Sequence, residues 1–427
     1  MIKIKISEKI FYLVILQVVA LLLSSCAEDK GLVGDRIPIF NDLSQENVNS
    51  PGKKIKLTSP EFLKAWPQLL SGPSRAVINV KLTNNLEDFD SYRIINAVSR
   101  DNVFAPIIVS DTIYYLDSRG TVHAQTTGGK HLWSTNINGN SKRLRQTFPG
   151  GLAYSEGLIY ITSSMGKLST LDAKDGEFLW EYDFDQPFRS FPLIYRKNIY
   201  VVTGDDLGVA FSREGKLIWS FAGDTQANSI SYSASPSAYK GKVFFPFSSG
   251  ALYAVDSING SVFWKKTFSS AAIGEGSSLI TDFGSSPILL KTGVLASSFA
   301  GQTILINFDG NIIWATDVGT STSPLIVGSD AFFIDKNGFL IRLSLSNGKI
   351  IWSRKLLEKS KGTKFFDPIL VNGNILLTKN DRIVSIYSPF DGALVKSKKL
   401  KGEVSASPIS YKGELYFPLA NGKVQVF

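Results

Sequence analysis

The sequence contains a single cysteine, Cys26, and only two histidines, His123 and His131, among 427 residues. One thiol excludes an intramolecular disulfide. A zinc centre built from cysteine and histidine needs three or four such ligands, so that kind of site is nearly excluded as well. We predict that the chain uses no metal and no cofactor. Because no nucleophile motif accompanies the histidines, we predict that both are surface residues rather than a catalytic pair.

An excess of one charge sign is present but not concentrated. The chain has 46 basic and 37 acidic residues, a formal net charge of +9. A basic surface can favour nucleic acid or anionic membranes. The densest basic run, Lys396–Lys401, is typical of a solvated strand or loop, and no longer arginine- or lysine-rich block occurs. We therefore predict no nucleic-acid partner.

Long apolar runs are confined to the N-terminus. Lys3, Lys5 and Lys9 precede the apolar segment Ile10–Leu23, which is too short for a comfortable transmembrane helix and has the flanks of a secretion signal. The following Leu-Ser-Ser-Cys sequence resembles the bacterial lipobox, which implies that Cys26 is acylated and becomes the mature N-terminus. Residues 1–25 are thus predicted to be a lipoprotein signal peptide.

The mature chain is predicted to hang from this lipid. In the resemblance to bacterial lipoproteins, Ala27 in place of aspartate after the cysteine favours the outer membrane over the inner one. Residues 26–56 are polar and lack strand periodicity, so we interpret them as the lipidated cysteine and a flexible tether. Residues 57–427 then form the folded domain.

Internal repetition is the main signal in that domain. The spacing Gly-x-x-x-Trp recurs at intervals of about 44 residues, the length typical of propeller blades. A seventh copy keeps the glycine and has lysine in place of tryptophan. The copies are Gly129–Trp133, Gly176–Trp180, Gly215–Trp219, Gly260–Trp264, Gly310–Trp314, Gly348–Trp352 and Gly392–Lys396.

Each repeat reads as four antiparallel strands. Asp-Gly or Asn-Gly usually opens the motif, and we predict type I′ hairpin turns there, with the tryptophan packing on the strand that follows. A second hairpin lies upstream in each unit. A proline marks the start of each first strand, where no ladder donor is lost: Pro106, Pro192, Pro236, Pro287, Pro324, Pro368 and Pro408.

The last unit, residues 407–427, has room for only three strands. The alternating segment Arg75–Leu82 lies ahead of the first full unit, and we predict that it supplies the missing strand and closes the ring. The predicted fold is therefore all-β: an eight-bladed β-propeller of four-stranded antiparallel blades, the last completed by an N-terminal strand.

The Gly-x-x-x-Trp hairpins and the eight blades resemble propellers of the pyrroloquinoline-quinone type. One branch of that group, the quinoprotein dehydrogenases, binds the quinone with calcium, and many members carry a vicinal disulfide. This chain has no second cysteine, and Asp205, Asp206 and Asp224 are scattered loop acids that we expect to be solvated. A dehydrogenase-like enzyme remains an alternative, as does a propeller that binds a cell-envelope ligand such as a sugar or peptidoglycan.

The lipobox, the tether and a propeller with little else resemble the BamB family of outer-membrane protein assembly factors. That resemblance implies a non-enzymatic scaffold, lipid-anchored in the outer membrane and facing the periplasm. Its implied partner is the POTRA region of the barrel-insertase subunit, and unfolded outer-membrane proteins are possible clients.

In that family the partner contacts come from the connectors after the third and fourth blades. Here these are residues 224–235 and 269–286, among the longest connectors in the chain. Ile230 falls on an apolar position of the family's first loop, and Ser231 stands where arginine is expected. Asp282 falls on one of two acidic positions, and Gly284 replaces the other. The resulting candidate partner-binding residues are Ser229, Ile230, Ser231, Tyr232, Asp282 and Phe283.

Overall fold

The fold is described from a computed structural model of the chain. The described residues are 54–76, 78–84, 92–96, 103–138, 150–224, 234–268, 282–299, 301–320, 322–356 and 363–427. Within them the chain forms eight four-stranded antiparallel sheets, apart from one short 3₁₀ turn, Leu69–Ser71. The predicted all-β, eight-bladed architecture is confirmed.

Blades 1 to 4 are built from consecutive strands. Short apolar runs separated by glycine-containing turns favour such up-and-down sheets. Blade 1 has β2 (Val103–Val109), β3 (Thr112–Asp117), β4 (Thr121–Thr126) and β5 (His131–Asn136); blade 2 has β6 (Gly151–Ser155), β7 (Leu158–Thr162), β8 (Lys167–Asp172) and β9 (Phe178–Asp183); blade 3 has β10 (Leu193–Tyr195), β11 (Asn198–Val202), β12 (Leu207–Phe211) and β13 (Leu217–Ala222); blade 4 has β14 (Ser237–Tyr239), β15 (Lys242–Pro246), β16 (Ala251–Asp256) and β17 (Val262–Thr267).

Blades 5 to 7 repeat this plan, and blade 8 combines both ends of the chain. Blade 5 has β18 (Ile288–Leu289), β19 (Val294–Ser297), β20 (Thr303–Ile306) and β21 (Ile312–Thr316); blade 6 has β22 (Leu325–Val327), β23 (Asp330–Ile334), β24 (Phe339–Ser344) and β25 (Ile350–Lys355); blade 7 has β26 (Ile369–Val371), β27 (Asn374–Thr378), β28 (Ile383–Tyr387) and β29 (Leu394–Lys399); blade 8 has β30 (Ile409–Tyr411), β31 (Glu414–Pro418), β32 (Val424–Val426) and β1 (Arg93–Ile95).

The first strands of neighbouring blades contact one another, as β2 does with β6 and β10 with β14, so the first strands line the axis. The antiparallel order places two kinds of turn at opposite ends. We call the end with the turns between first and second and between third and fourth strands the clasp face. The other end, with the second-to-third turns and the links between blades, is the connector face.

An N-terminal strand completes blade 8, as predicted, but the predicted segment was wrong. The strand is β1, which pairs antiparallel with β32 and sets Ile94 opposite Gln425. Arg75–Leu82 instead crosses the clasp face, where Val80 bonds to blade 7.

Type I′ geometry occurs in the first hairpin of every blade except blades 5 and 6, whereas the sequence predicted it in the last hairpin. In blade 2, Glu156 and Gly157 both have positive φ, as a type I′ turn requires. In the predicted Asp175-Gly176 turn, only Gly176 has positive φ, at +77°. The prediction of type I′ turns at the Asp/Asn-Gly pairs was therefore wrong, since those turns are longer loops that end in one left-handed glycine.

The repeated glycine and tryptophan meet between blades rather than within one. A Cβ on Gly176 of blade 2 would lie 2.4 Å from the Trp133 indole of blade 1. The absence of a side chain lets each ring lie against the turn of the next blade, which explains the paired motif. The same docking joins Gly215 to Trp180, Gly260 to Trp219, Gly310 to Trp264, Gly348 to Trp314 and Gly392 to Trp352.

This docking gives a direct stability test within one blade. Gly176 and Gly157 both have positive φ, at +77° and +84°, but only Gly176 lies under an indole; a Cβ on Gly157 meets nothing within 4 Å. We expect Gly157→Ala to lower the free energy of unfolding by about 1–2 kcal/mol from backbone strain alone. Gly176→Ala should cost about 1–3 kcal/mol more, because Trp133 must move. Denaturant unfolding measures both, and equal losses would contradict the docking.

The joint between β1 and the C-terminal strands of blade 8 predicts that the stability of the protein depends on pH. Arg93 of β1 donates to Glu414, with one bond of 2.7 Å, and Tyr416 Oη donates to the same carboxylate at 2.7 Å. Burial raises the pKa of the Glu414 carboxyl, but the bonds from Arg93 and Tyr416 outweigh it and hold that pKa below its usual 4.5. A lowered carboxyl pKa adds stability above about pH 4.5 that is lost as the pH falls through the folded value.

Because the pair is partly exposed, we expect the free energy of unfolding at pH 7 to be higher for wild type than for Glu414→Gln by at most about 1 kcal/mol. The difference should shrink towards pH 3, as followed by urea unfolding at several pH values. A difference that does not change with pH would contradict this role for Glu414.

Candidate partner-binding site at blades 3 to 5

The connectors after blades 3 and 4 end side by side on the connector face. The backbone N–H of Ser235, near the end of the first connector, donates to Ser286 Oγ of the second at 2.8 Å, and both residues are buried. Residues 225–233 and 269–281 lie outside the described residues, and with them the candidates Ser229, Ile230, Ser231 and Tyr232. The structure thus brings together the described ends of the two predicted partner loops.

The two other candidates, Asp282 and Phe283, lie in the interior. Asp282 is 0% and Phe283 2% exposed. The ring of Phe283 packs edge-on against Phe268 with centroids 5.0 Å apart, so these two residues close the base of the second connector. Both candidates are therefore buried residues at the end of the second connector rather than exposed contact residues.

Asp282 belongs to a buried ionic cluster that joins turns of blades 3 and 4 to the links before blade 3 and after blade 4. Arg189, in the link between blades 2 and 3, donates from Nη2 to Asp282 Oδ2 at 2.8 Å and from Nη1 to Asp206 Oδ1 at 3.1 Å. Asp206, in a turn of blade 3, also accepts the backbone N–H of Ser248 in blade 4 at 3.0 Å. The Arg189 guanidinium therefore connects the turn of blade 3 with the base of the second connector, and Asp206 extends this connection to blade 4.

Sequence reasoning missed this cluster. Arg189 is 93 positions from Asp282, and no local pattern connects them. The expectation that Asp206 is solvated was wrong, because Asp206 is 2% exposed and bonded to Arg189 and Ser248. A buried carboxylate is tolerated only with such partners.

The first connector is fixed where it begins. Asp224 accepts a hydrogen bond from Tyr253 Oη of blade 4 at 3.0 Å and another from Lys265. The bond from Lys265 is the main cause of the lowered pKa of Asp224, and burial raises the pKa of Tyr253. Asp224 is about half exposed, so the expectation of solvation holds only in part for this residue.

The residues before the strand-opening prolines form a further polar element. In four places, the backbone N–H before one proline donates to the side-chain oxygen before the proline of the next blade. A Ser-Pro or Asp-Pro pair in successive repeats is a signal that sequence reasoning could have used. The bonds are Phe191 to Ser235 (2.9 Å), Ser235 to Ser286 (2.8 Å), Ser323 to Asp367 (2.7 Å) and Asp367 to Ser407 (3.1 Å).

The acidic pair at this site does not fit a metal. Between Asp206 and Asp282 lies the Arg189 guanidinium, which occupies the place a cation would take. Across the described ranges, no three histidine, cysteine, aspartate or glutamate side chains are grouped so as to hold a metal ion. In the same ranges, no helix is long and apolar enough to cross a membrane.

The two histidines lie in blade 1. His131 is exposed, as predicted, but the prediction for His123 was wrong, since it is 6% exposed. His123 Nε2 lies 3.0 Å from Asp117 Oδ2, and its Nδ1 lies 2.8 Å from Ser134 Oγ. Asp117 Oδ1 also accepts the N–H of Thr121 in its own turn. These bonds account for both buried polar side chains, so we interpret the group as bracing that turn.

Eight four-stranded blades joined by glycine–tryptophan docking define a propeller of the pyrroloquinoline-quinone repeat class. Residues 118–354 match the family model described as "Outer membrane protein assembly factor BamB". The match spans more than half of the sequence. The chain therefore belongs to the BamB family of outer-membrane protein assembly factors.

The chain is similar to the outer membrane protein assembly factor BamB of Moranella endobia, with 22% identity over 326 residues, 75% of this chain and 83% of that one. Among solved structures, BamB from Moraxella catarrhalis superposes with a TM-score of 0.69 at 18% identity, covering 79% of this chain and 99% of that one. A europium-containing methanol dehydrogenase gives 0.63 at 13% identity, covering 83% and 89%. At these identities the structural likenesses show the fold alone.

The ionic cluster predicts a large cost for losing its cation. Arg189→Leu would leave Asp206 and Asp282 buried without their shared partner, and we expect a loss of about 3–5 kcal/mol in the free energy of unfolding. The matched control is Lys265→Leu, which breaks the exposed pair with Asp224 and should cost about 1 kcal/mol or less. Denaturant unfolding of both variants measures these two losses in the free energy of unfolding. Similar costs would contradict a buried brace at Arg189.

Proposed function

We propose that the chain is a non-enzymatic scaffold lipoprotein of the outer-membrane β-barrel assembly complex. It is anchored in the outer membrane through lipid on Cys26, faces the periplasm and binds the POTRA region of the barrel insertase. Membership of the BamB family supports this role. The observation that carries the proposal is the pair of adjacent connectors at blades 3 to 5, joined at Ser235 and Ser286 and braced by Arg189.

The physical reason is preorganisation. A loop fixed at its base loses less conformational freedom on binding, so a partner gains more from each contact. In this proposal Ser229, Ile230, Ser231 and Tyr232 meet the partner, with Ile230 as the apolar anchor. Asp282 and Phe283 take part from within by holding the second connector in place.

Unfolded outer-membrane proteins are a second proposed class of partner, and pairing with outer strands is the less favoured route. In each of blades 1 to 7 the outer strand carries a bulge at the residue before the repeat's tryptophan or lysine. In blade 2, for example, Thr170 pairs with Trp180 and Leu171 with Phe178, so the pairing skips one residue of β9. Such bulges on an edge strand disfavour addition of another strand. Client contact is therefore more compatible with the connector face.

The test compares two isoleucine-to-aspartate changes. Ile230→Asp places a charge at the proposed anchor and should reduce co-purification with the barrel insertase at least about tenfold, the effect of losing one central apolar contact. Ile258→Asp is the matched control, because Ile258 is 70% exposed in a turn on the clasp face. Membranes carrying each variant are solubilised, and the insertase recovered with the protein is quantified.

Asp282→Arg is a poor probe, since it would break the buried cluster as well as any contact. Equal recovery from wild type and both variants would contradict the proposed interface. Equal loss from both variants would place the contact elsewhere.

Quinone-dependent dye reduction by protein reconstituted with pyrroloquinoline quinone and calcium would instead support the dehydrogenase alternative.

A further inference from the structure

Residues 54–76 and 78–84, which we call the clasp, follow the ring on the clasp face and contact the blades in order. Backbone N–H groups of the first (inner) strands, or of the turns that follow them, donate to the clasp in seven blades. The bonds are Lys412 to Leu63 O (2.7 Å), Ile108 to Trp66 O (3.0 Å), Tyr154 to Pro67 O (2.7 Å), Ile194 to Gln68 Oε1 (3.2 Å), Ala238 to Pro73 O (2.9 Å), Leu289 to Ser74 O (2.9 Å) and Asn372 to Val80 O (2.8 Å).

The clasp makes more than one full turn and overlaps itself. Ile55 packs with Val327 of blade 6 at the start of the path. After passing blades 8, 1, 2, 3, 4 and 5, the chain returns to blade 7 at Val80. There Glu61 and Val80 pair in parallel, and Lys81 N–H donates to Glu61 O at 2.8 Å. Thr83 N–H then donates to Gly413 O of blade 8 at 2.9 Å, so the two ends of the clasp overlap along blades 7 and 8.

Recognition along the clasp is mostly through the main chain, with a few buried side chains as anchors. The inner strands are edge strands, so their free N–H groups form a circular template for an extended segment. Trp66, Leu70 and Val80 are buried, and Trp66 and Val80 join the apolar cluster of blades 7, 8 and 1. Each anchor therefore removes apolar surface from water as well as fixing the register.

Arg75 is the polar anchor. Its Nη2 donates to Pro236 O at 3.0 Å and its Nη1 to Leu69 O at 2.5 Å, so its acceptors are carbonyls rather than a carboxylate. The side chain is 1% exposed, and burial lowers the pKa of Arg75 to about 9. The guanidinium thus links the turn at Leu69–Ser71 to blade 4 from inside the fold.

We propose that the mouth of the propeller on the clasp face is a binding site for extended polypeptide, and that its ligand is the clasp of the same chain. The clasp contacts both ends of the ring, blades 8 and 1, where β1 supplies only three residues of closure. The clasp therefore holds blades 8 and 1 together, and it should stay bound to the ring even when the chain between them is cut.

The test uses the full chain with a protease site inserted at residues 85–91, between the clasp and β1. After cleavage the N-terminal fragment should stay with the ring through size-exclusion chromatography in native buffer and separate only in denaturant. Circular dichroism before cleavage establishes that each protein is folded. Release of the wild-type fragment in native buffer would overturn the proposal.

Two aliphatic truncations in the clasp then test where the recognition lies. Val80 is 0% and Ile78 41% exposed, two positions apart. We expect Val80→Ala to speed release of the cleaved fragment about tenfold or more, and Ile78→Ala to leave it close to wild type. Equal release rates would overturn the assignment of buried anchors. If Val80→Ala does not fold, the behaviour of the cleaved wild-type chain still decides whether the clasp is a bound ligand.

Discussion

The close approach of an indole to a glycine in the next blade is the contact on which the ring depends. Each of the blades 1 to 6 places its outer-strand tryptophan against the glycine of its successor, so packing in one blade fixes the position of the next. Wide aromatic surfaces at these interfaces contribute much of the apolar burial between blades. A side chain at any of these glycines displaces a ring and so disturbs two blades together.

This contact cannot form at either interface of blade 8, with blade 7 or with blade 1. Blade 8 takes its outer strand from β1 and so has no fourth-strand hairpin glycine, which accounts for Lys396 in place of a seventh tryptophan. Gly129 of blade 1 faces Ile95 of β1 instead, and a Cβ on Gly129 would lie 3.4 Å from Ile95 Cγ2, an ordinary van der Waals contact. Bonds from Arg93 join blade 8 to blade 1, and the overlap of the clasp joins it to blade 7.

The features that recur in each blade could be predicted from the sequence, whereas the contacts that occur only once in the ring could not. The Gly-x-x-x-Trp spacing and the prolines indicated the number and order of strands, since both recur from blade to blade. Arg75–Leu82 was predicted because it alternates over eight residues, whereas β1 spans only three residues, too few to show a pattern. The Arg189 cluster and the clasp could not be predicted, because their partners lie far apart in sequence and meet only after the ring closes.

The two faces divide the work of the molecule, with closure on the clasp face and the proposed partner contact on the connector face. Photo-crosslinking in cells tests this division directly, with the photoreactive residue at position 230 in one protein and at position 258 in another. The account predicts a crosslink to the barrel insertase from position 230 and none from position 258. Crosslinking to the insertase from position 258 alone, or from neither position, would contradict it.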